Sequence, residues 1–326
     1  MKQIIAFNGS PRKNWNTAIL LKKTLGGIKS VREDIEIETI HLYDVNYTGC
    51  KSCFACKRTG GKSYGQCILK DELTPILAKV KQADALLFGS PIYFGGVTGV
   101  MKAFLERLLF PYLTYTTPSS SLFPKKIPTA FIYTMNVTEE DIHKFHYDIP
   151  VLNIEKYLSL IFGSTGTLIS FDTYQFPDYA KFFVPRFNAA EKIARRKTIF
   201  PKDCESAYEM GRGLARIMCT GIMFSPIWFD SRYLHKAPEH YLCPITHKLM
   251  DNPVVAADGY SYEREAIELL LGTACRMSPV TNRPFEHTVL IPNHSLKASI
   301  SDFRSSLLIK PSLIVSSQAV RIQHRS

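Results

Sequence analysis

Along the first two-thirds of the chain, short apolar runs alternate with longer stretches whose apolar positions recur every three to four residues. The runs at 2–8, 35–42, 85–90, 129–135 and 167–173 predict strands, and the stretches at 17–26, 71–82, 97–109, 154–162 and 204–218 predict helices. The runs at 85–90 and 129–135 are almost continuously apolar, as strands are when both faces of their sheet are covered. Strands alternating with helices predict an α/β fold over residues 1–220, a doubly wound five-stranded parallel sheet. Segments 118–128 and 176–201 break the pattern with Pro, Ser or clustered basic residues and read as loops.

Past residue 220 the pattern changes. Residues 221–237 are aromatic and Pro-interrupted and read as a packed connector. From 238 to 307 the chain offers short turns, a hairpin pattern at 253–259, an amphipathic helix at 264–271 and a second helix at 296–307. This predicts a small α+β unit, followed by a tail at 308–326.

Composition narrows the classes. Of 326 residues, 45% are hydrophobic and 21% charged, which excludes a disordered chain and leaves ample material for a core. The net charge of +11 lies almost wholly in the first 235 residues. No basic stripe is interleaved with aromatics, so an anionic ligand is expected and nucleic acid is not. The opening run reads as a strand and not as a secretory leader. The apolar stretch at 214–229 is short and carries Arg216 and Pro226, so no membrane span is expected. Eight cysteines in a chain this long do not make a disulfide scaffold, and a reducing, cytoplasmic setting is expected.

The first strand runs into Asn8-Gly9-Ser10-Pro11-Arg12-Lys13-Asn14-Trp15-Asn16-Thr17. A loop between a strand end and a helix start collects unpaired N–H groups at the positive end of the helix dipole. Ser10, Arg12, Asn16 and Thr17 add donors and charge. The single Gly excludes the dinucleotide and Walker patterns, and the loop suits one monophosphate or, structurally, a capped turn. The third strand ends in Ser90-Pro91-Ile92-Tyr93-Phe94-Gly95-Gly96.

With both loops in this order, residues 1–220 resemble the flavodoxin-like NAD(P)H-dependent FMN reductases. The resemblance implies flavodoxin strand order with FMN at the switch point between the first and third strands. It implies Ser10, Arg12, Asn16 and Thr17 on the phosphate, and Pro91, Ile92, Tyr93, Phe94 and Gly95 along the ring. It further implies a third ligand loop at Thr134, Met135 and Asn136. NADPH or NADH supplies electrons, no side chain acts as catalytic acid or base, and a homodimer across the flavin face is implied.

Cys50, Cys53, Cys56 and Cys67 resemble the compact motif of the iron–sulfur flavoproteins within that broad family, although the last gap is longer. A [4Fe–4S] cluster, zinc and free or redox-active thiols are the alternatives, and no metal is assigned.

In the C-terminal part, Cys243-Pro244-Ile245-Thr246, Asp251-Asn252-Pro253, Asp258-Gly259-Tyr260-Ser261-Tyr262-Glu263-Arg264, Ser278-Pro279-Val280-Thr281 and Ile291-Pro292-Asn293 resemble the U-box, a RING-like, zinc-free ubiquitin-ligase domain. The resemblance implies that Asp251, Ser261, Glu263 and Asn293 staple loops that zinc holds in RING domains. It implies docking of a ubiquitin-conjugating enzyme at Ile245, Leu270 and Pro279, with His247 nearby. Asn282 stands where active ligases often carry an Arg, so docking is better supported than strong activation. The combined expectation is an FMN-dependent oxidoreductase fused to a ubiquitin ligase, working with ubiquitin in a eukaryotic cytosol or delivered there by a bacterium. The alternatives are a ligase with a flavodoxin-like recruitment scaffold, and a reductase with a non-catalytic docking module.

Overall fold

The computed structural model describes residues 2–220, 238–246, 249–272, 276–281 and 283–308. The connector at 221–237, most of the predicted tail, His247 and Asn282 lie outside the described residues.

The first unit runs β1 (Lys2–Asn8), α1 (Asn16–Val31), β2 (Ile35–His41), α2 (Leu73–Val80), β3 (Ala85–Tyr93), β4 (Gly96–Val97), α3 (Gly99–Leu109), β5 (Ile127–Thr134), α4 (Asp148–Phe162), β6 (Gly163–Ser170), α5 (Ala189–Thr198) and α6 (Phe200–Thr220). The sheet order is β2-β1-β3-β5-β6, with β4 folded back antiparallel on β3. The five main strands are parallel, which is the predicted doubly wound sheet.

Strand alternation sorts the core into two layers. Ile4, Ala6, Ala85, Leu87, Ala130 and Ile132 face α1 and α6. Ile5, Phe7, Leu86, Phe88, Phe131 and Tyr133 face α2, α3 and α4. The second face is built of rings: Phe7 lies 5.5 Å from Phe88, and Phe88 lies 5.6 Å from Phe131. The first face uses alanines in the middle strands, which lets its two helices approach closely.

Those helices touch backbone to backbone. A Cβ added to Gly211 would sit 1.9 Å from the Thr24 carbonyl oxygen, and one on Gly27 would sit 1.9 Å from that of Tyr208. The glycine pair Gly26-Gly27 therefore does not end α1 as the sequence suggested. It carries the helix through the crossing to Val31.

A second correction concerns segment 176–201, expected to be loop. It contains α5, whose N-cap Asn188 accepts from the backbone N–H groups of Ala190 and Glu191. Its buried residue is Lys192, so hydrophobic periodicity carries no signal of the helix.

The second unit contains β7 (Pro253–Val255), β8 (Ser261–Glu263), α7 (Arg264–Leu271), β9 (Ile291–Pro292) and α8 (His294–Leu308). The sheet order β8-β7-β9 adds a third strand to the predicted hairpin, whose turn uses Gly259 at φ +80°. Cys243, Met250, Val254, Tyr262, Ala266, Ile267, Leu271 and Ile300 form its core. No described helix is long and apolar enough to cross a membrane.

The α1–α6 crossing generates a signed expectation. Gly→Ala inside a helix ordinarily gains about 0.5–1 kcal/mol. Gly211→Ala should instead lose about 1–3 kcal/mol, because the methyl meets rigid backbone. Gly26→Ala is the control: its Cβ meets nothing closer than the Tyr208 ring at 3.9 Å, and it should be neutral or stabilising. Urea unfolding of the two variants checks the sign of each.

Candidate functional site

Three loops meet at the carboxyl ends of β1, β3 and β5, where the strand order reverses. Gly9 N–H donates to the Gly89 carbonyl at 2.8 Å, joining the first loop to β3. Thr98 caps α3 by accepting from Met101 N–H, while its hydroxyl donates to the Gly9 carbonyl at 2.8 Å. Ser90 Oγ accepts from Thr98 N–H. Thr17 Oγ1 and Thr134 Oγ1 share a buried hydrogen bond at 2.8 Å, closing the first loop against the third. The predicted phosphate loop, ring loop and third loop are thus brought to one edge.

Individual residues divide by what they present. Ser10, Asn16 and Thr17 are buried in the first loop, and Arg12 is exposed at its rim. Ser10 Oγ accepts from Arg12 N–H and Asn8 Oδ1 accepts from Ser10 N–H, shaping the turn ahead of α1. In the ring loop, Tyr93 and Phe94 are exposed, and Phe94 and Gly95 both have positive φ, 51° and 81°. Ile92, expected along the ring, and Met135, expected in the third ligand loop, have side chains packed into the core. Those two positions offer only backbone, because alternation turns their side chains inward. Pro91 and Asn136 are half-buried beside them.

A strap at residues 171–176 crosses this edge. Its first half is laced to the third loop: Asp172 N–H donates to the Val137 carbonyl and Thr173 N–H to that of Met135, each at 2.9 Å. Its second half lies on the first loop. The Tyr174 carbonyl accepts from Trp15 Nε1 at 3.0 Å and Asn16 Nδ2 at 2.9 Å, and the Gln175 carbonyl accepts from Arg12 Nη1 at 2.5 Å. Helix α5 holds the strap from behind. Lys192, only 4% exposed, hydrogen-bonds both Asp172 and Asn136, and Arg195 donates to the Phe171 and Asp172 carbonyls. Asp172 adopts φ +46°, a left-handed conformation that Asp tolerates. None of α5's cations was foreseen in the sequence.

The four clustered cysteines line one cavity with Phe54, Glu106, Arg107 and Phe110. All four are free thiols: Cys50 and Cys53 are exposed and Cys56 is buried, which pushes its thiol up in pKa. Among the described residues no three ligand-type side chains converge as a metal site. The donor set has cluster chemistry, but as placed its sulfurs do not form a cluster cradle. Two cations hold the loop instead. Lys57 Nζ donates to the Phe110, Pro111 and Leu113 carbonyls at the end of α3. Arg107, with a fully buried side chain, donates to Asp71 Oδ2 at 2.6 Å, Asp71 Oδ1 at 3.1 Å, the Thr48 carbonyl and Cys67 Sγ. Its place on the buried stripe Met101-Phe104-Leu105-Leu108 was the sequence signal that such a partner existed.

In the second unit, polar side chains do the stapling. The Glu263 carboxylate accepts from Asp251 N–H at 2.6 Å and Asn252 N–H at 3.1 Å. Asn293 donates to Ser261 Oγ at 3.1 Å and accepts from Leu296 N–H at 3.0 Å, capping α8. Of the expected staples Asp251 contributes through its backbone N–H. Asp258, not singled out from the sequence, binds both Tyr262 Oη and Ser278 Oγ. Burial and this carboxylate push the Tyr262 phenol well above its ordinary pKa. Ile245 and Leu270 are half-buried and pack against the small core, so each position serves the core as well as the surface. Pro279 is half-buried outside that cluster, and its carbonyl accepts from Arg216 Nη2 of α6 at 3.1 Å.

Comparison with known proteins divides the chain in the same place. Residues 2–134 match the family model of NADPH-dependent FMN reductase, and residues 237–307 match that of the U-box domain. An iron-sulfur flavoprotein of Methanocaldococcus jannaschii is 38% identical over 105 residues, 32% of this chain and 51% of that protein. An iron-sulfur flavoprotein of Archaeoglobus fulgidus is 39% identical over 105 residues, covering 32% and 48%. WD repeat, SAM and U-box domain-containing protein 1 of Danio rerio is 54% identical over 69 residues, 21% of this chain and 14% of that protein. The chain therefore spans about half the length of the matched flavoproteins and a small part of the matched U-box protein.

The Arg107–Asp71 pair has asymmetric consequences. Asp71→Ala strands a buried guanidinium and should cost about 3–5 kcal/mol. Arg107→Met should cost less, because Asp71 is 20% exposed and reaches water. The Arg107 guanidinium holds the Asp71 carboxyl below the usual carboxylate range. A depressed native pKa gives stability that is present in full above the unfolded value, about 3.9. That stability is lost as pH falls from there through the native value. Urea unfolding of wild type and Asp71→Ala between neutral and acid pH should show the two curves converging at the acid end.

Proposed function

We propose that this chain is a bifunctional enzyme: an FMN-dependent NAD(P)H oxidoreductase in residues 1–220 and a U-box ubiquitin-protein ligase in residues 238–307. The observation that carries the first half is the meeting of loops 10–17, 91–95 and 134–136 at the switch point of a parallel sheet, directly before the N-terminus of α1. Open parallel sheets bind their ligands at this crevice. The match to the FMN reductase model over residues 2–134 supports the same cofactor.

In this reading Ser10, Arg12, Asn16 and Thr17 bind the flavin phosphate, helped by the N–H groups and dipole of α1. Pro91 to Gly95 orient the ring with main-chain groups, and the left-handed turn at Phe94 and Gly95 holds that main chain clear of side-chain obstruction. Asn136, fixed by Lys192, gives the third loop a defined edge. Flavin, when bound, supplies hydride acceptance from a nicotinamide and its delivery to an acceptor. The chain's share is orientation and exclusion of water, for which no titrating side chain is required. A second copy covering the exposed Tyr93 and Phe94 belongs to the same proposal. So does a four-cysteine loop acting as thiols and not as a cluster ligand set.

The ligase half works by proximity. Ile245, Leu270 and Pro279 dock a ubiquitin-conjugating enzyme, a role the resemblance extends to His247 and Asn282, so that a substrate lysine meets the thioester. The stapled loops make that face rigid without metal, which preorganises it for docking. A ubiquitin-dependent reaction assigns its work to a eukaryotic cytosol, whether the chain originates there or is delivered.

Two measurements test the halves separately. Arg12→Ala should weaken FMN binding in a fluorescence titration by about 1–3 kcal/mol, the scale of a charge-assisted hydrogen bond. Unchanged affinity would remove Arg12 from the phosphate site. For the ligase, Ile245→Ala should cost about 2 kcal/mol or more of docking and abolish lysine discharge from a charged conjugating enzyme, with NAD(P)H oxidation unaltered. Asn282→Arg should accelerate discharge. A folded wild-type protein that neither binds nor discharges any conjugating enzyme in a broad panel overturns the ligase assignment.

A further inference from the structure

We infer that Arg196, on α5, is a second cationic ligand of the phosphate group held by loop 10–17. The inference rests on the flavin-phosphate reading of that loop and extends it to a residue 180 positions away from Asn16 in the chain.

Three basic residues of α5 point toward the strap and the first loop, and their partners differ. Lys192 pairs with Asp172, and Arg195 lies 3.7 Å from the same carboxylate while donating to two carbonyls. Arg196 has no carboxylate partner among the described residues. Its Nη1 donates to Asn16 Oδ1 at 2.7 Å, and its guanidinium stacks 3.9 Å from the Phe200 ring centroid. A ring face and a neutral amide oxygen supply partial negative charge, not a counterion. Desolvation lowers the pKa of Arg196, the direction expected of a cation removed from water without an anion. A half-buried guanidinium left so is costly unless an anion completes it.

The place of that anion follows from the neighbours. Both arginines lie against Trp15, the Arg12 guanidinium 5.5 Å and the Arg196 guanidinium 6.0 Å from its ring centroid. Asn16 accepts from Arg196 through Oδ1, which leaves its NH2 as the donor face of the loop, now resting on the Tyr174 carbonyl. Arg12 likewise rests on the Gln175 carbonyl. A phosphate monoester carries about −1.5 to −2 charges at neutral pH, more than one guanidinium neutralises. With Arg12 at the rim and Arg196 behind Asn16, the loop supplies two. Arg196 therefore has two tasks there: it aims the Asn16 amide and balances the second phosphate charge.

The test compares two ligands that differ only in the phosphate, FMN and riboflavin, in fluorescence titrations of the full chain. Arg196→Gln should weaken FMN about tenfold or more and leave riboflavin unchanged, and Arg196→Lys should recover part of the loss. Equal losses for both ligands, or none for FMN, overturn the inference. If wild type does not prefer FMN to riboflavin, the flavin-phosphate reading itself has failed, which is a distinct result. A measurement on wild type covers the case of a variant that does not fold. Phenylglyoxal modification of Arg196, read by peptide mass spectrometry, should be slowed by FMN and by inorganic phosphate but not by riboflavin. Modification at an equal rate with and without FMN overturns the assignment.

Discussion

The backbone contact between α1 and α6 is the constraint on which the rest of the first unit depends. Two helices that cross with Gly27 against Tyr208 and Gly211 against Thr24 have almost no freedom to slide. Helix α1 starts where the first loop ends, so the crossing fixes the direction in which that loop's N–H groups point. Helix α6 follows α5 directly, so the same crossing sets where Lys192, Arg195 and Arg196 arrive. One steric fact thus positions both sides of the crevice. The alanines of β1, β3 and β5 that face these helices are its counterpart in the sheet.

Both units manage buried polarity in a similar way, although their folds are unrelated. In the first, the strap at 171–176 occupies donors of loop 10–17 with its own carbonyls, and α5 satisfies the strap in turn. In the second, Asp258, Glu263 and Asn293 tie the loops together through their side chains. Asp258 and Asn293 each bind groups from two segments, and Glu263 ties β8 to the adjacent N–H groups of Asp251 and Asn252, which makes the stapling cooperative. The buried thiol of Cys243 joins in, accepting from Glu263 N–H at 3.1 Å. A metal-free core of this size holds its loops only if such groups are satisfied together.

Where the two units meet, Arg216 reaches the Pro279 carbonyl. The last helix of the first unit therefore bears on the loop that carries Pro279 in the second. Because that helix is locked to α1, the crevice and the Pro279 loop are connected through a short set of packed elements.

Much was determined by the sequence alone. Near-continuous apolar strands, strand–loop–helix punctuation and the positions of the glycines in the ring loop specify a doubly wound sheet with a ligand edge. The turn and helix pattern of the second unit specifies a small, separate α+β unit. These features are local: they depend on alternation, on turn chemistry and on spacing within a few residues. The tertiary structure decided what depends on partners far apart in the chain. Gly27 reads as a helix stop until Gly211 stands opposite it. Lys192 and Arg196 read as surface charge in a basic loop, because α5 buries cations where other helices bury leucines. Ile92 reads as a ring contact and Met135 as part of a ligand loop by motif, yet the pleat turns both into the core. A residue's type limits what chemistry it can do, but burial and the identity of its neighbour decide whether that chemistry is used, and both are properties of the folded chain.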